Sequence, residues 1–139
     1  MLFHPCSENI PFDASLRYFV GAFDIYDREE TKGKELYAYN PNNEKDREDL
    51  IVKYCLDPHI KYSYRHKYKL IESLATALNT ENFDFGSFFE DDPDEYSTMA
   101  WDETEIADPR GFFADIYRLA NEVWKDDLQK ASLEDPATW

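Results

Sequence analysis

Between Glu81 and Asp108 the chain carries eleven carboxylates, Glu81, Asp84, Glu90, Asp91, Asp92, Asp94, Glu95, Asp102, Glu103, Glu105 and Asp108, and no lysine or arginine. The same stretch holds Phe83, Phe85, Phe88, Phe89, Tyr96 and Trp101. Three kinds of chemistry use such a pattern. Carboxylate oxygens bind hard cations, and Asp91-Asp92-Pro93-Asp94-Glu95 is the densest group, yet the EF-hand order and its turn glycine are absent. Paired carboxylates perform acid–base work, as in glycoside hydrolysis. In a chain with 30 acids some pair always falls at a workable distance, so that pattern carries little weight. The third use is recognition: rings anchor a contact while carboxylates steer a basic partner in and reject wrong ones.

The opposite pattern comes just before. Lys61, Arg65, Lys67 and Lys69, with His59 and His66, alternate with Tyr62, Tyr64 and Tyr68. On a helix Lys61, Arg65 and Lys69 share a face. Basic residues among tyrosines can hold single-stranded nucleic acid through charge and stacking. In a chain of net charge −15, pairing with the protein's own acids is the stronger expectation.

Other catalytic signatures are missing. There is no glycine-rich phosphate loop, no H-E-x-x-H, no C-x-x-C and no G-x-S-x-G. His4 and Cys6 are close in sequence, but a Cys–His pair is assembled by the fold and sequence adjacency says little. Cys6 and Cys55 read as two reduced thiols, with Cys55 buried in a helix.

These residues belong to 139 residues with 42% hydrophobic and 17% aromatic content, enough for one self-sufficient core and unlike a disordered chain. The charge is uneven. Residues 1–70 hold 12 acids and 11 bases, whereas residues 71–139 hold 18 acids and 4 bases. That balance argues against a general nucleic-acid binder and against adhesion to anionic membranes. No apolar run approaches the length of a spanning helix, and the first twelve residues do not form a secretory signal, so a cytoplasmic location is expected.

Four segments must position the acidic stretch: 13–26, 44–56, 62–78 and 109–131. Asp108 is suited to cap a helix that begins at Pro109, and Phe112, Phe113, Ile116, Leu119, Ala120 and Val123 form its apolar stripe. Tyr64, Tyr68, Ile71, Leu74, Ala75 and Leu78 form a second stripe, closed by Asn79-Thr80. A shorter helix runs from Asn42 or Asn43 to Asp57-Pro58, with Leu50, Ile51, Tyr54 and Cys55 as its apolar positions. Residues 17–39 fit either short helices or a small β element. The expectation is a single mainly α domain over 1–139, with four to five helices and a long acidic–aromatic loop at about 80–108 before the last helix.

The functional expectation is a non-enzymatic acidic binding protein. Its most economical form is an immunity protein that covers the active site of a basic, nuclease-type toxin, contacting protein rather than nucleic acid or membrane. The expected contact residues are Phe88, Phe89, Tyr96 and Trp101 as anchors, with Glu90, Asp91, Asp92, Asp94, Glu95, Asp102, Glu103 and Glu105 as charges. No catalytic residue, cofactor or metal is expected. The alternatives are a nucleic-acid mimic that inhibits a defence or restriction nuclease, and a carboxylate–metal hydrolase; a plain adaptor has no distinctive signature.

Overall fold

A computed structural model describes residues 1–57, 62–91, 94 and 97–139. The chain is mainly helical, and among the described residues no strand or sheet forms. α1 is Arg17–Val20, extended by a 3-10 turn at Gly21–Phe23. α2, Lys34–Leu36, follows a π-helical turn at Glu29–Gly33. α3, Glu44–Leu50, runs into a π-helical segment at Ile51–Cys55. α4 is Tyr64–Leu78, α5 Pro109–Val123 and α6 Lys125–Ser132.

Side-chain caps set the helix starts. The Asn43 side chain accepts from the Asp46 N–H at 3.0 Å, and the Asp108 carboxylate accepts from the Gly111 N–H at 3.0 Å; each satisfies a backbone donor the helix leaves unpaired. At α4 the cap is reciprocal. Ser63 Oγ accepts from the His66 N–H, and His66 Nδ1 accepts from the Ser63 N–H. His66 Nε2 is then the donor, to the Phe3 carbonyl at 2.7 Å. That bond ties the N-terminal loop, itself closed by the Phe3–Pro11 bridge, onto α4.

The expected C-terminal helical region over 109–131 is split in two. Trp124 leaves helical geometry at φ −98°, ψ 14° and turns its ring into the core, stacked on Phe19 at 6.1 Å. Six α-helical stretches therefore appear among the described residues. The β element anticipated within 17–39 reduces to one bridge, Asp24 with Met99, where Ile25 N–H donates to the Thr98 carbonyl and Ala100 N–H to the Phe23 carbonyl, both at 2.8 Å.

One hydrophobic core unites these pieces. Phe19, Phe23, Leu36, Leu50, Ile51, Leu70, Leu74, Phe112, Phe113 and Ile116 are all essentially inaccessible. α4 packs on α5 and α6, and the π-helical segment packs on α5. Cys55 lies inside this core and Cys6 outside it, both as free thiols; burial pushes the Cys55 thiol well up. Among the described residues, no helix is long and apolar enough to cross a membrane.

Candidate functional site

The segment after α4 turns three of its described rings fully inward. Phe85 and Phe89 are buried against the start of α5: Phe85 lies 5.1 Å from Phe113, and Phe89 lies 5.5 Å from Phe112 and 6.0 Å from Phe113. Trp101 is also buried, edge-on to Phe23 at 5.5 Å. Phe88 is half-buried beside Phe113, and the Arg17 guanidinium lies over its ring. The expected anchor role of Phe89 and Trp101 is therefore corrected. Their full burial in the core stabilises each by about 2–3 kcal/mol relative to exposure, and neither offers a face to a partner. Tyr96, the fourth expected anchor, lies outside the described residues, as do Asp92 and Glu95.

With Phe85, Phe89 and Trp101 inside, the described carboxylates Asp84, Glu90, Asp91, Asp94, Glu103 and Glu105 are exposed on a pinned backbone. Asp91 Oδ1 accepts from the Met99 N–H at 2.8 Å. The Asn42 side chain donates to the Glu105 carbonyl at 2.8 Å and accepts from the Ala107 N–H at 2.9 Å, fastening residues 105–107 to the turn before α3. Asp102 closes a local turn by accepting from the Thr104 N–H at 2.9 Å and the Glu105 N–H at 3.2 Å; the Thr104 hydroxyl, helped by these backbone bonds, holds its carboxyl below the usual range.

What remains is a group of charges brought together without an ion-pair partner among the described residues. A β-carbon placed on Gly86 would lie 3.5 Å from Asp84 Oδ1 and 3.7 Å from Glu103 Oε2, so these two carboxylates converge over that glycine. Glu90 joins them. Its charge is the first cause that raises the Glu103 carboxyl above its ordinary range, followed by a hydrogen bond between the two side chains, with burial, Asp84 and Asp102 adding to the effect. Like charges this close resist simultaneous ionisation. Glu90, Asp94, Glu103 and Glu105 are exposed. The expected set thus divides: Glu90, Glu103 and Asp102 come together, Asp91 and Glu105 serve partly to fasten the loop, and Asp94 stands in solvent. Asp84 was outside the expected contact set but belongs to the group, and its place six residues before Glu90 gave no periodic signal.

The protein's bases go elsewhere. Arg65 pairs with Glu134 at 2.9 Å, Lys67 with Asp127 at 2.6 Å, Arg47 with Asp115 at 2.6 Å and Arg118 with Glu48 at 2.7 Å. Arg110, the base nearest the segment in sequence, donates to the Leu78 and Thr80 carbonyls at 2.9 Å and lies over Phe85. Among the described residues, no carboxylate between Glu81 and Asp108 is within 4 Å of a lysine or arginine nitrogen. The basic face expected on α4 is internally paired at Arg65, Lys67 and Lys69, but its acids are Asp127 and Glu134, in and after α6, and Glu72 on α4 itself. Lys61 and His59 lie outside the described residues. Among the described residues no group of three or more His, Cys, Asp or Glu side chains is placed to hold a metal.

Comparison with known proteins adds no relative: the chain matches no family model, no curated protein and no solved structure.

Proposed function

We propose that the protein is a non-enzymatic acidic inhibitor, an immunity-type protein that sits in the cytoplasm and covers the positively charged active site of a nuclease-type toxin. The observation that carries this reading is the carboxylate group at Asp84, Glu90, Asp102 and Glu103, held on a backbone pinned by buried rings and, among the described residues, without a lysine or arginine in ion-pair contact. Mutual repulsion within such a group costs stability, and the raised Glu103 carboxyl is its local sign. A patch that none of the described lysines and arginines pairs with retains an unfavourable charge that a basic partner would neutralise. A toxin that binds phosphates must present lysine and arginine, and complementary charge speeds encounter and selects the partner.

Clustering in one segment favours a plug over a nucleic-acid mimic, which would need phosphate-like charges spread along a whole face.

The test is capture from the source cell, with wild type compared against Glu90→Gln/Glu103→Gln. The reading expects a basic protein on the wild-type resin, released by salt and depleted on the variant. Recovered partner activity should be inhibited by added wild type. Capture of no basic protein, or equal capture by both chains, would overturn it.

A further inference from the structure

A cleft of about 820 Å³ opens between α1, the turn that precedes α2 and the π-helical segment after α3. Tyr18, Tyr54, Tyr62, Arg17, Lys32 and the backbone of Gly21 line it. Its three acids are Asp13, Glu35 and Asp57, and none of them is free. Asp13 Oδ1 accepts from the Ser15 N–H at 3.2 Å. Glu35 accepts from the Tyr54 hydroxyl and pairs with Lys53 at 3.5 Å. Its cations have contacts of another kind: the Arg17 guanidinium lies over the Phe88 ring, and Lys32 donates to the Asp24 carbonyl. Among the described residues, neither Arg17 nor Lys32 has a carboxylate within ion-pair distance.

Lys32 is partly buried, and its hydrogen bond to the Asp24 carbonyl is long, at 3.5 Å. Burial, with the Arg28 charge behind it, pushes the ammonium below its usual range. A desolvated ammonium with donors to spare is stabilised by an arriving anion. The tyrosine walls supply flat apolar area, and burial holds the Tyr54 and Tyr62 hydroxyls protonated, both pushed up to about 12.

Gly21 adds an independent observation. Its φ of −57° and ψ of −26° suit any residue, and a β-carbon there would meet no atom within 4 Å. Neither backbone nor packing requires glycine, which costs stability through its freedom in the unfolded chain. Its bare Cα faces open space on the wall shared by this cleft and a second one lined by Arg17, Gly21, Phe88 and Met99. Close approach of a bound group to the backbone is a use of glycine that fits this placement.

We infer that this cleft is a binding site for a small organic anion with a flat body, its charged head against Lys32 and Arg17 and its body among the tyrosine rings over Gly21. The inference goes beyond the inhibitor reading and does not depend on it. The test uses the full chain, with benzoate, phenyl phosphate and adenosine monophosphate as anionic probes and benzamide and benzamidine as neutral and cationic counterparts, followed by amide chemical shifts. The expected result is saturable binding of at least one anion with a shift at the Gly21 amide. Its affinity should fall about tenfold in Lys32→Met, the loss typical of a hydrogen bond to a charged group. Binding should vanish in Gly21→Phe, whose side chain enters the cleft, while the circular dichroism and melting temperature of that variant stay at or above wild type. No saturation by any of the three anions up to about 10 mM, equal binding of benzamidine, or undiminished binding by folded Gly21→Phe would overturn it.

Discussion

Replacing Phe89 by alanine separates a ring that holds the acidic segment in place from a ring that meets a partner. Phe89 is fully inaccessible and edge-on to Phe112 and Phe113, the first rings of the α5 stripe. Removing it deletes the transfer free energy of a phenyl group and leaves a cavity between the segment and α5, a combination that costs about 3–5 kcal/mol. A domain of this size has about 5–15 kcal/mol in total, so the variant should fold with little reserve. With a urea slope of about 2 kcal/mol per M, a loss of about 4 kcal/mol moves the unfolding midpoint down by roughly 2 M. Urea titration followed by tryptophan fluorescence reads this directly, because Trp101 and Trp124 share the same core. A change below about 0.5 kcal/mol, the range of ordinary surface substitutions, would refute the claim that the ring pins the segment. Phe89→Leu, which keeps an apolar side chain of comparable size, should leave capture of the partner unchanged.

Other outcomes follow from the same geometry. Because Glu103 is raised in the folded chain, folding binds protons there; stability should fall as pH climbs from the ordinary carboxyl range through the raised folded value. Glu90→Gln should weaken that dependence, with burial, Asp84 and Asp102 still acting, which thermal melts across pH would register. Glu134 behaves in the opposite sense: bonds from the Tyr64 hydroxyl, Arg65 and the Trp139 indole N–H lower its carboxyl. The stability it contributes should be lost as pH falls through that lowered value, and Glu134→Gln should flatten this acid limb of the same curve. Gly21→Ala should stabilise by about 0.4–1 kcal/mol, since its conformation and surroundings admit a side chain. Gly111→Ala should gain nothing by calorimetry, because the new β-carbon would lie 2.3 Å from Asp108 Oδ2 and displace the cap of α5, a loss of about 1 kcal/mol that offsets the helix propensity gained.

The helices with local signals were legible in the sequence. Asp108-Pro109 announced α5 because a cap and a proline at the first turn act through neighbouring backbone alone, and the stripe from Tyr64 to Leu78 repeats at helical spacing. The break at Trp124 was not legible, since it depends on Phe19 accepting the indole from far along the chain. The acidic stretch was read as a loop before the last helix; it leads into α5, with α6 still to come, and carries a 3-10 turn at Gly86–Phe89, and its rings had been assigned to a partner. Phe and Trp serve core and interface alike, and an aperiodic loop carries no pattern that says which way a side chain turns. The internal pairing of Arg65 and Lys67 was anticipated from net charge; that their acids would be Glu134 and Asp127 was decided by α6 packing along α4. For the same reason the described carboxylates of the acidic segment have no lysine or arginine among the described residues as an ion-pair partner, and this became visible only once those bases had been placed.

The most direct test of the central claim measures association of the captured partner with wild type and with Glu90→Lys/Glu103→Lys as ionic strength is raised. Charge steering predicts fast association at low salt that slows steeply as salt screens it, and a variant whose rate is far lower at low salt and nearly indifferent to salt. Equal rates for the two chains, or a wild-type rate that salt leaves unmoved, would contradict the claim that the carboxylates at Glu90 and Glu103 are the face presented to a basic protein.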